Sequence, residues 1–217
     1  LTVTLPRAGN ITGGGFMLVY LAKENRSIFI DFREKAPALA TRDMFLDKDG
    51  NIDTNKARFS ILSTGVPGTV YGLELARKKY GTMSYKELVK PAYLLAKNGI
   101  KVTYDLHDSL LKAAPQLLKD KEASTIFYKS NGKVYPINST LKQKKLAKTL
   151  KTLIQFGPKS FYTGRIADKM IRFMEHNKGI MTHQDLKNYT AIERDPIITS
   201  FNGYMVYTAP PPSSGGL

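Results

Sequence analysis

The 217-residue sequence contains no cysteine, no tryptophan and only three histidines. Without cysteine these residues can form no disulfide, thiolate metal site or cysteine nucleophile, and they fit a reducing or an oxidising compartment equally well. His107, His176 and His183 are widely separated and match no HExxH-type spacing. We therefore predict no metal or other cofactor and interpret the histidines as solvent-facing or capping side chains.

Long apolar runs are also missing. No stretch approaches the ~18 consecutive apolar residues that a membrane-spanning helix needs, so we predict no membrane span. Leu1 opens directly into a strand-like stretch without a cleavage signal, and any targeting segment is therefore expected to have been removed or left out. The hydrophobic content of 42% suffices for a real core, and the length favours one domain.

Acidic residues are few, with 18 Asp and Glu against 33 Lys and Arg, a net charge of +15. A field of this sign can attract nucleic acid, anionic lipid or acidic substrates. Lysines are densest between Leu141 and Ile154, where an apolar stripe predicts an amphipathic helix. No aromatic residues interleave with these lysines, so we favour a solvated helix face and keep a basic nucleic-acid-binding protein as the alternative.

The β-rich runs 16–21 and 27–31 are separated by a polar stretch and predict a buried antiparallel hairpin. Gly13, Gly14 and Gly15 precede it, and their missing Cβ atoms permit positive φ or the close approach of another backbone. No GK[ST] follows, so this is not a phosphate-binding loop. Near the other end, residues 197–201, Asn202-Gly203 and residues 204–207 predict a hairpin with a type I′ turn.

Apolar spacing predicts a helix over residues 69–80, closed by Gly81 in a left-handed cap. A second helix should begin after Ser84, which forms a capping box with Glu87, kink at Pro91 and end at Gly99. Residues 100–115 look helical only in part, and residues 119–139 read as a loop with one short hairpin at Asn131-Gly132.

Further along, Ile166, Met170, Phe173 and Met174 form a helical stripe that Lys178-Gly179 closes, and Thr182 with Asp185 caps a short helix. Strands cluster near both ends with helices between them. We therefore expect an α+β or layered α/β unit in which distant segments build the sheet.

Several stretches together resemble the γ-glutamyltranspeptidase family, in that family's order and along the whole chain. They are AGNITGGGFM at 8–17, DFREKAP at 31–37, GVPGTV at 65–70, YGTM at 80–83, GP at 157–158, FYTG at 161–164, Thr182 with Asp185, Leu186 and Tyr189, and PPPSSGG at 210–216. The resemblance implies a layered αββα fold of the N-terminal nucleophile hydrolase type. Residues 1–217 would then be a single-domain segment of the large subunit.

Enzymes of that family cut themselves into two subunits, and the threonine freed at the start of the small subunit attacks the γ-glutamyl amide of glutathione or a related compound. The resemblance places this threonine beyond Leu217, so we expect no catalytic residue in this chain. It also implies a small-subunit partner from the same precursor, water or an amino acid or peptide amine as acceptor, and a periplasmic or secreted location. The resemblance gives no role to nucleic acid.

Arg33 matches the family arginine that binds the α-carboxylate of the substrate. A guanidinium offers two parallel N–H donors to a carboxylate and stays charged at any working pH. The alternative is an ordinary ion pair with its neighbours Asp31 or Glu34, which is common where charged residues end a strand. Ser213 and Ser214 lie in no GxSxG elbow and are interpreted as loop residues. A related enzyme acting on poly-γ-glutamate or a cephalosporin side chain is a sibling hypothesis.

Overall fold

The computed structural model of the chain describes residues 1–216. Their contacts divide them into two compact units, and each unit is built from two separate segments that alternate along the chain. Unit 1 comprises Leu1–Asn10 and Met83–Gly157, and unit 2 comprises Ile11–Thr82 and the described residues from Pro158 onwards. The elements in chain order are β1 (Phe16–Leu21), β2 (Arg26–Asp31), α1 (Thr54–Phe59), α2 (Thr69–Tyr80), α3 (Tyr85–Asn98), β3 (Ile100–Lys101), α4 (Tyr104–Leu117), α5 (Lys121–Phe127), β4 (Thr140–Leu141), α6 (Lys144–Phe156), α7 (Lys159–Thr163), α8 (Arg165–His176), α9 (His183–Asn188), β5 (Ile192–Arg194), β6 (Ile197–Phe201) and β7 (Tyr204–Thr208).

A three-stranded antiparallel sheet of order β1-β2-β5 organises unit 2. The predicted hairpin is confirmed, with Phe16 opposite Asp31 and Leu21 opposite Arg26. Its central strand β2 is buried from Ile28 to Asp31, whereas β1 is only partly covered and leaves Leu18 and Tyr20 exposed. The prediction of a buried hairpin is therefore right for β2 and wrong for β1, because β1 is an edge strand of the sheet that residues 1–216 form. The third strand comes from residues 192–194, so distant segments do assemble the sheet.

The glycine-rich segment before β1 packs directly against backbone. Gly14 lies so close to the turn after β2 that an added Cβ would sit 2.6 Å from both Phe32 O and Glu34 N. The carbonyl of Gly13 accepts hydrogen bonds from the N–H groups of Gly68 and Thr69, at 2.8 and 3.0 Å, where α2 begins. The close backbone approach predicted for these glycines is thus confirmed.

Helix α2 has the predicted bounds, but its end does not have the predicted form. Gly81 has φ −92°, so the left-handed cap is wrong. Its N–H still bonds to Arg77 O, and an added Cβ would lie 2.8 Å from that oxygen. Glycine is therefore needed there for space rather than for positive φ.

Helices α7, α8 and α9 complete the helical part of unit 2. In α8 the buried residues are Ala167, Ile171 and Met174, whereas Phe173, placed on the apolar stripe by the sequence, is 53% exposed. The predicted capping box of α9 is confirmed, with Thr182 and Asp185 bonded reciprocally. The hairpin of β6 and β7 is also confirmed, and Asn202 and Gly203 have φ of 48° and 81°, as a type I′ turn requires.

Unit 1 is built on the packing of α3 against α6. The Ser84–Glu87 capping box begins α3, and Gly99, at φ +100°, ends it, both as predicted. Helix α6 begins at Lys144, three residues later than the lysine-rich stripe indicated, because Leu141 belongs to β4. Its buried face carries Ala147, Leu150 and Leu153.

The segment between residues 100 and 139 departs most from the sequence prediction. It contains the short strand β3, a complete helix α4 and a further helix, α5, inside the stretch interpreted as a loop. Asp120 caps α5 by accepting a hydrogen bond from Ala123 N at 2.7 Å. The short hairpin is present as a bridge between Tyr128 and Val134 around Gly132, which has φ +74°.

The described chain therefore mixes helices with small antiparallel sheets, which agrees with the predicted α+β class. Across residues 1–216, no helix combines the length and the apolar character needed to cross a membrane.

Candidate functional site

Arg33 lies two residues beyond the end of β2, and its side chain is exposed. The guanidinium carbon is 6.0 Å from the centre of the Phe16 ring, which in turn stacks on Phe29 with ring centres 5.4 Å apart. An aromatic face beneath a guanidinium attracts the cation and leaves its N–H edge free. The paired strands β1 and β2 thus supply a platform for the Arg33 head group.

Asp31, one of the two carboxylates next to Arg33 in the sequence, has another partner. Its Oδ2 accepts a hydrogen bond from Arg194 Nε in β5 at 3.0 Å, and its Oδ1 accepts one from the backbone N–H of Arg33 at 3.1 Å. The Asp31 side chain is only 9% exposed, so this carboxylate is buried with its charge compensated. The alternative in which Arg33 pairs with Asp31 is therefore wrong.

Glu34 does not pair with Arg33 either. Among residues 1–216 no ion pair includes Arg33, so no described carboxylate oxygen lies within 4.0 Å of its guanidinium nitrogens. A planar cation with donors to spare is thus presented at the end of a buried strand. Such a group can bind a carboxylate through two parallel hydrogen bonds.

The backbone at Arg33 is fixed by Tyr189, which follows α9. The Tyr189 hydroxyl donates a hydrogen bond to Arg33 O at 2.9 Å. Burial, together with the nearby negative charges of Asp31 and Glu34, raises the pKa of Tyr189 far above its ordinary value. The hydroxyl therefore keeps its proton and remains a donor at every physiological pH.

Tyr189 belongs to an aromatic cluster with Tyr71 and Tyr162. Its ring stacks on Tyr162 with ring centres 5.9 Å apart and meets Tyr71 edge-on at 5.8 Å. The Tyr162 hydroxyl donates to Pro67 O at 3.0 Å and accepts from Tyr71 N at 3.0 Å. Tyr162 therefore joins the start of α2 to Tyr189, which supports the backbone of Arg33.

Gly68 lies where this cluster meets the turn after β2. An added Cβ would overlap both the carbonyl oxygen of Phe32 and the hydroxyl of Tyr189. Only a residue without a side chain can stand between α2 and the Arg33 support, which accounts for the glycine in the GVPGTV stretch.

The segment that follows Arg33 is held by two more contacts. Lys35 and Val66 exchange both backbone hydrogen bonds, at 3.2 and 2.7 Å. Asp185 accepts a hydrogen bond from Ala38 N at 2.9 Å while it also caps α9. Although burial acts to raise the pKa of Asp185, the hydrogen bonds from Ala38 and Thr182 outweigh burial and hold that pKa below its ordinary value.

The other residues singled out in the sequence lie in ordinary surroundings. Ser213 closes a turn, donating its N–H to Pro210 O and accepting from Gly215 N, which fits a loop serine. A ring nitrogen of His107 is 2.8 Å from Tyr135 O, and His183 is exposed, 3.8 Å from Asp168. No three His, Asp or Glu side chains among residues 1–216 cluster as a metal site would require.

Tyr189 and Arg194 are the supporting residues that reasoning from the sequence missed. In the sequence Tyr189 stands out only as part of a family signature, and nothing local to Arg194 points to a partner 163 residues away. Pairing of β5 with β2 creates that contact, and no periodicity predicts which distant strand completes the sheet.

Comparison with known proteins identifies the family. The model of the γ-glutamyltranspeptidase family matches residues 1–217. The chain belongs to the γ-glutamyltranspeptidase family. A glutathione hydrolase proenzyme from Escherichia coli (strain K12) is 46% identical over 217 residues, covering 100% of this chain and 37% of that protein.

Solved structures agree with this assignment. The γ-glutamyltranspeptidase of Helicobacter pylori matches with a TM-score of 0.95 and 41% identity, covering 100% of this chain and 62% of that one. The transpeptidase enzyme CapD of Bacillus anthracis matches with a TM-score of 0.78 and 32% identity, over 99% of this chain and 65% of that one. The chain therefore has the fold of the corresponding part of these enzymes, and it spans under two-fifths of its curated Escherichia coli relative.

Proposed function

We propose that the complete protein containing this chain hydrolyses and transfers γ-glutamyl groups, taking them from glutathione and other γ-glutamyl compounds. Support comes from its 46% identity to a protein named glutathione hydrolase proenzyme and from a match that spans every residue. Residues 1–217 would be a single-domain segment of the large subunit. The small subunit of the same precursor would be the partner that completes the site.

In this proposal Arg33 binds the α-carboxylate of the γ-glutamyl substrate. The observation that carries it is the free guanidinium of Arg33 beside an Asp31 that Arg194 already neutralises. Because the Arg33 backbone is tied to Tyr189 and its head group lies above Phe16, the donors are oriented before substrate arrives. A fixed carboxylate anchor would position the γ-carbonyl carbon for attack.

The nucleophile would be an N-terminal threonine of the small subunit, freed by self-cleavage of the precursor. Its hydroxyl oxygen attacks the γ-carbonyl carbon, the α-amino group takes the hydroxyl proton, and the leaving amine departs protonated. Water or an amino acid or peptide amine then takes the γ-glutamyl group from the threonine ester. A periplasmic or secreted location would place the enzyme where it meets extracellular γ-glutamyl compounds.

Steady-state kinetics of the complete precursor test the role of Arg33. We expect Arg33→Ala to raise KM for γ-glutamyl-p-nitroanilide about 10- to 100-fold, because a hydrogen bond to a charged group contributes about 1.5–3 kcal/mol. Arg33→Lys should raise KM less, since it keeps the charge and loses the paired donors. Arg42→Ala is the matched control, because Arg42 is 92% exposed and pairs only with its neighbour Asp43 among residues 1–216. An unchanged KM in Arg33→Ala would refute the proposal.

The sibling hypothesis of a poly-γ-glutamate or cephalosporin acylase predicts a different substrate order. The 46% identity to a protein named glutathione hydrolase proenzyme favours glutathione as the substrate. Competition between glutathione and a γ-glutamate oligomer for the complete enzyme separates the two. A kcat/KM that is higher for the oligomer would support the sibling.

A further inference from the structure

Arg194 forms the ion pair with the Asp31 carboxylate, and the sheet register explains how the Arg194 side chain reaches that carboxylate. Arg194 lies opposite Phe29 and Ile192 lies opposite Asp31, so Arg194 and Asp31 are diagonal neighbours on adjacent antiparallel strands. Long side chains span that diagonal. The contact is a hydrogen-bonded ion pair, Nε to Oδ2 at 3.0 Å, in which the carboxylate is 9% and the guanidinium 38% exposed.

Arg33 is the other cation that could serve this carboxylate. Its own backbone N–H already bonds to Asp31 Oδ1, so its side chain begins within reach of the same group. A buried carboxylate without a counter-charge is strongly unfavourable and would attract any mobile cation nearby. The Arg33 side chain is exposed and has no ion-pair partner among residues 1–216.

We propose that Arg194 is a positioning residue for substrate binding: by occupying the Asp31 carboxylate, it prevents the Arg33 guanidinium from folding back onto that carboxylate. The inference rests on the substrate-binding role proposed for Arg33. The pair Asp31–Arg194 thus keeps Arg33 available for the carboxylate of the substrate. Arg194 itself touches no reacting atom in this account.

Arg194→Gln in the complete precursor is the first test, because glutamine keeps a hydrogen-bond donor and removes the charge. We expect KM for γ-glutamyl-p-nitroanilide to rise about tenfold while kcat changes by less than about twofold, since substrate must now compete with Asp31 for Arg33. Arg194→Lys should hold KM within about threefold of wild type, because it restores a cation at Asp31.

A double variant separates positioning from simple structural support. Asp31→Asn combined with Arg194→Gln removes the competing charge as well, and its KM should return to within about twofold of wild type. If Arg194 had only a structural role, the double variant would show the same raised KM as Arg194→Gln. In an Arg33→Ala background, Arg194→Gln should add no further rise in KM.

Arg194→His keeps the inference testable if Arg194→Gln does not fold. A histidine is charged below its ordinary pKa of about 6.5 and would be held charged somewhat higher by Asp31. Its KM relative to wild type should be near one at pH 5.5 and rise towards pH 8, and adding Asp31→Asn should abolish that rise. A ratio that does not change with pH would overturn the inference.

The outcomes also distinguish this inference from the proposed function. If Arg33→Ala leaves KM unchanged, the role of Arg33 fails. If Arg33→Ala raises KM and Arg194→Gln does not, only the positioning role of Arg194 fails.

Discussion

At the scale of single residues, one hydroxyl group fixes the backbone that carries Arg33. Tyr189 is 3% exposed, and its O–H to Arg33 O bond joins the end of β2 to the segment after α9. Leaving a buried carbonyl without its hydrogen-bond donor costs more stability than breaking an ordinary surface hydrogen bond.

Tyr189→Phe should therefore lower the free energy of unfolding by about 1–2 kcal/mol, because the ring packing stays and Arg33 O loses its donor. Urea denaturation of the complete protein measures the difference. Tyr20→Phe is the control: its hydroxyl bonds to the exposed Asn25, and we expect a change within about 0.5 kcal/mol. Equal effects of the two substitutions would contradict the support assigned to Tyr189.

Gly68 gives a second prediction at this scale. Gly68→Ala should destabilise the fold by about 1–3 kcal/mol, because its Cβ cannot fit beside Phe32 O and the Tyr189 hydroxyl. Gly215→Ala is the matched control, since its nearest contact would be an ordinary 3.5 Å. Thermal unfolding that shifts equally for both would show that the close approach at Gly68 is tolerated.

Arg33 itself can be identified from the sequence, but the contacts that leave its guanidinium without an ion pair cannot. Asp31 and Glu34 are visible as neighbours, and an Arg33 ion pair was the natural alternative. The deciding partner, Arg194, comes from a strand 163 residues away. Local patterns carry no information about such a contact.

At the scale of elements, α9 both ends in the Tyr189 support and holds the loop after Arg33. The Asp185 carboxylate holds this loop, because it accepts hydrogen bonds from Ala38 N and from Thr182 N and Oγ1. These bonds favour the ionised carboxylate, so its pKa is lower folded than unfolded.

A lowered pKa gives Asp185 a predictable pH dependence. Its stabilisation is complete above the unfolded pKa, near 3.8, and is lost as pH falls through the lower folded pKa. Wild type should lose more stability than Asp185→Asn between pH 5 and pH 2, measured by urea midpoints. Asp195→Asn, at an exposed position, is the control and should follow wild type. Parallel wild-type and Asp185→Asn curves would contradict the assignment.

Elements with local signals were predicted well, and those governed by packing were not. The capping boxes of α3 and α9 and the Asn202-Gly203 turn are fixed by residues within four positions of one another. Helix α5 was missed although Asp120 caps it, because its polar sequence lacks a clear apolar stripe. Phe173 fits the apolar periodicity of α8 and yet lies exposed, because periodicity alone does not show which helix face other elements cover.

At the scale of the whole molecule, the positive charge is unevenly distributed. Unit 1 carries 15 lysines and arginines against 5 aspartates and glutamates, so it holds two-thirds of the net charge. Of the α6 lysines, Lys145 pairs with Glu122, and the others have no ion pair among residues 1–216. A field of this kind attracts polyanions without sequence preference.

The nucleic-acid alternative can be tested through salt. For the proposed enzyme, any DNA binding should be non-specific and should fall steeply between 50 and 200 mM salt, by about 10³ or more if several phosphates are contacted. Fluorescence anisotropy with two unrelated duplexes measures this for the complete protein. Tight binding at physiological salt that prefers one of the two sequences would revive the alternative.

The binding of a γ-glutamyl α-carboxylate that we propose for Arg33 is tested most directly with a substrate that lacks this carboxylate. Comparing kcat/KM for γ-glutamyl-p-nitroanilide and 4-aminobutyryl-p-nitroanilide isolates this one interaction. The wild-type complete protein should prefer the first by about 10- to 100-fold or more, and Arg33→Ala should lose most of that preference. An undiminished preference in Arg33→Ala would contradict the account.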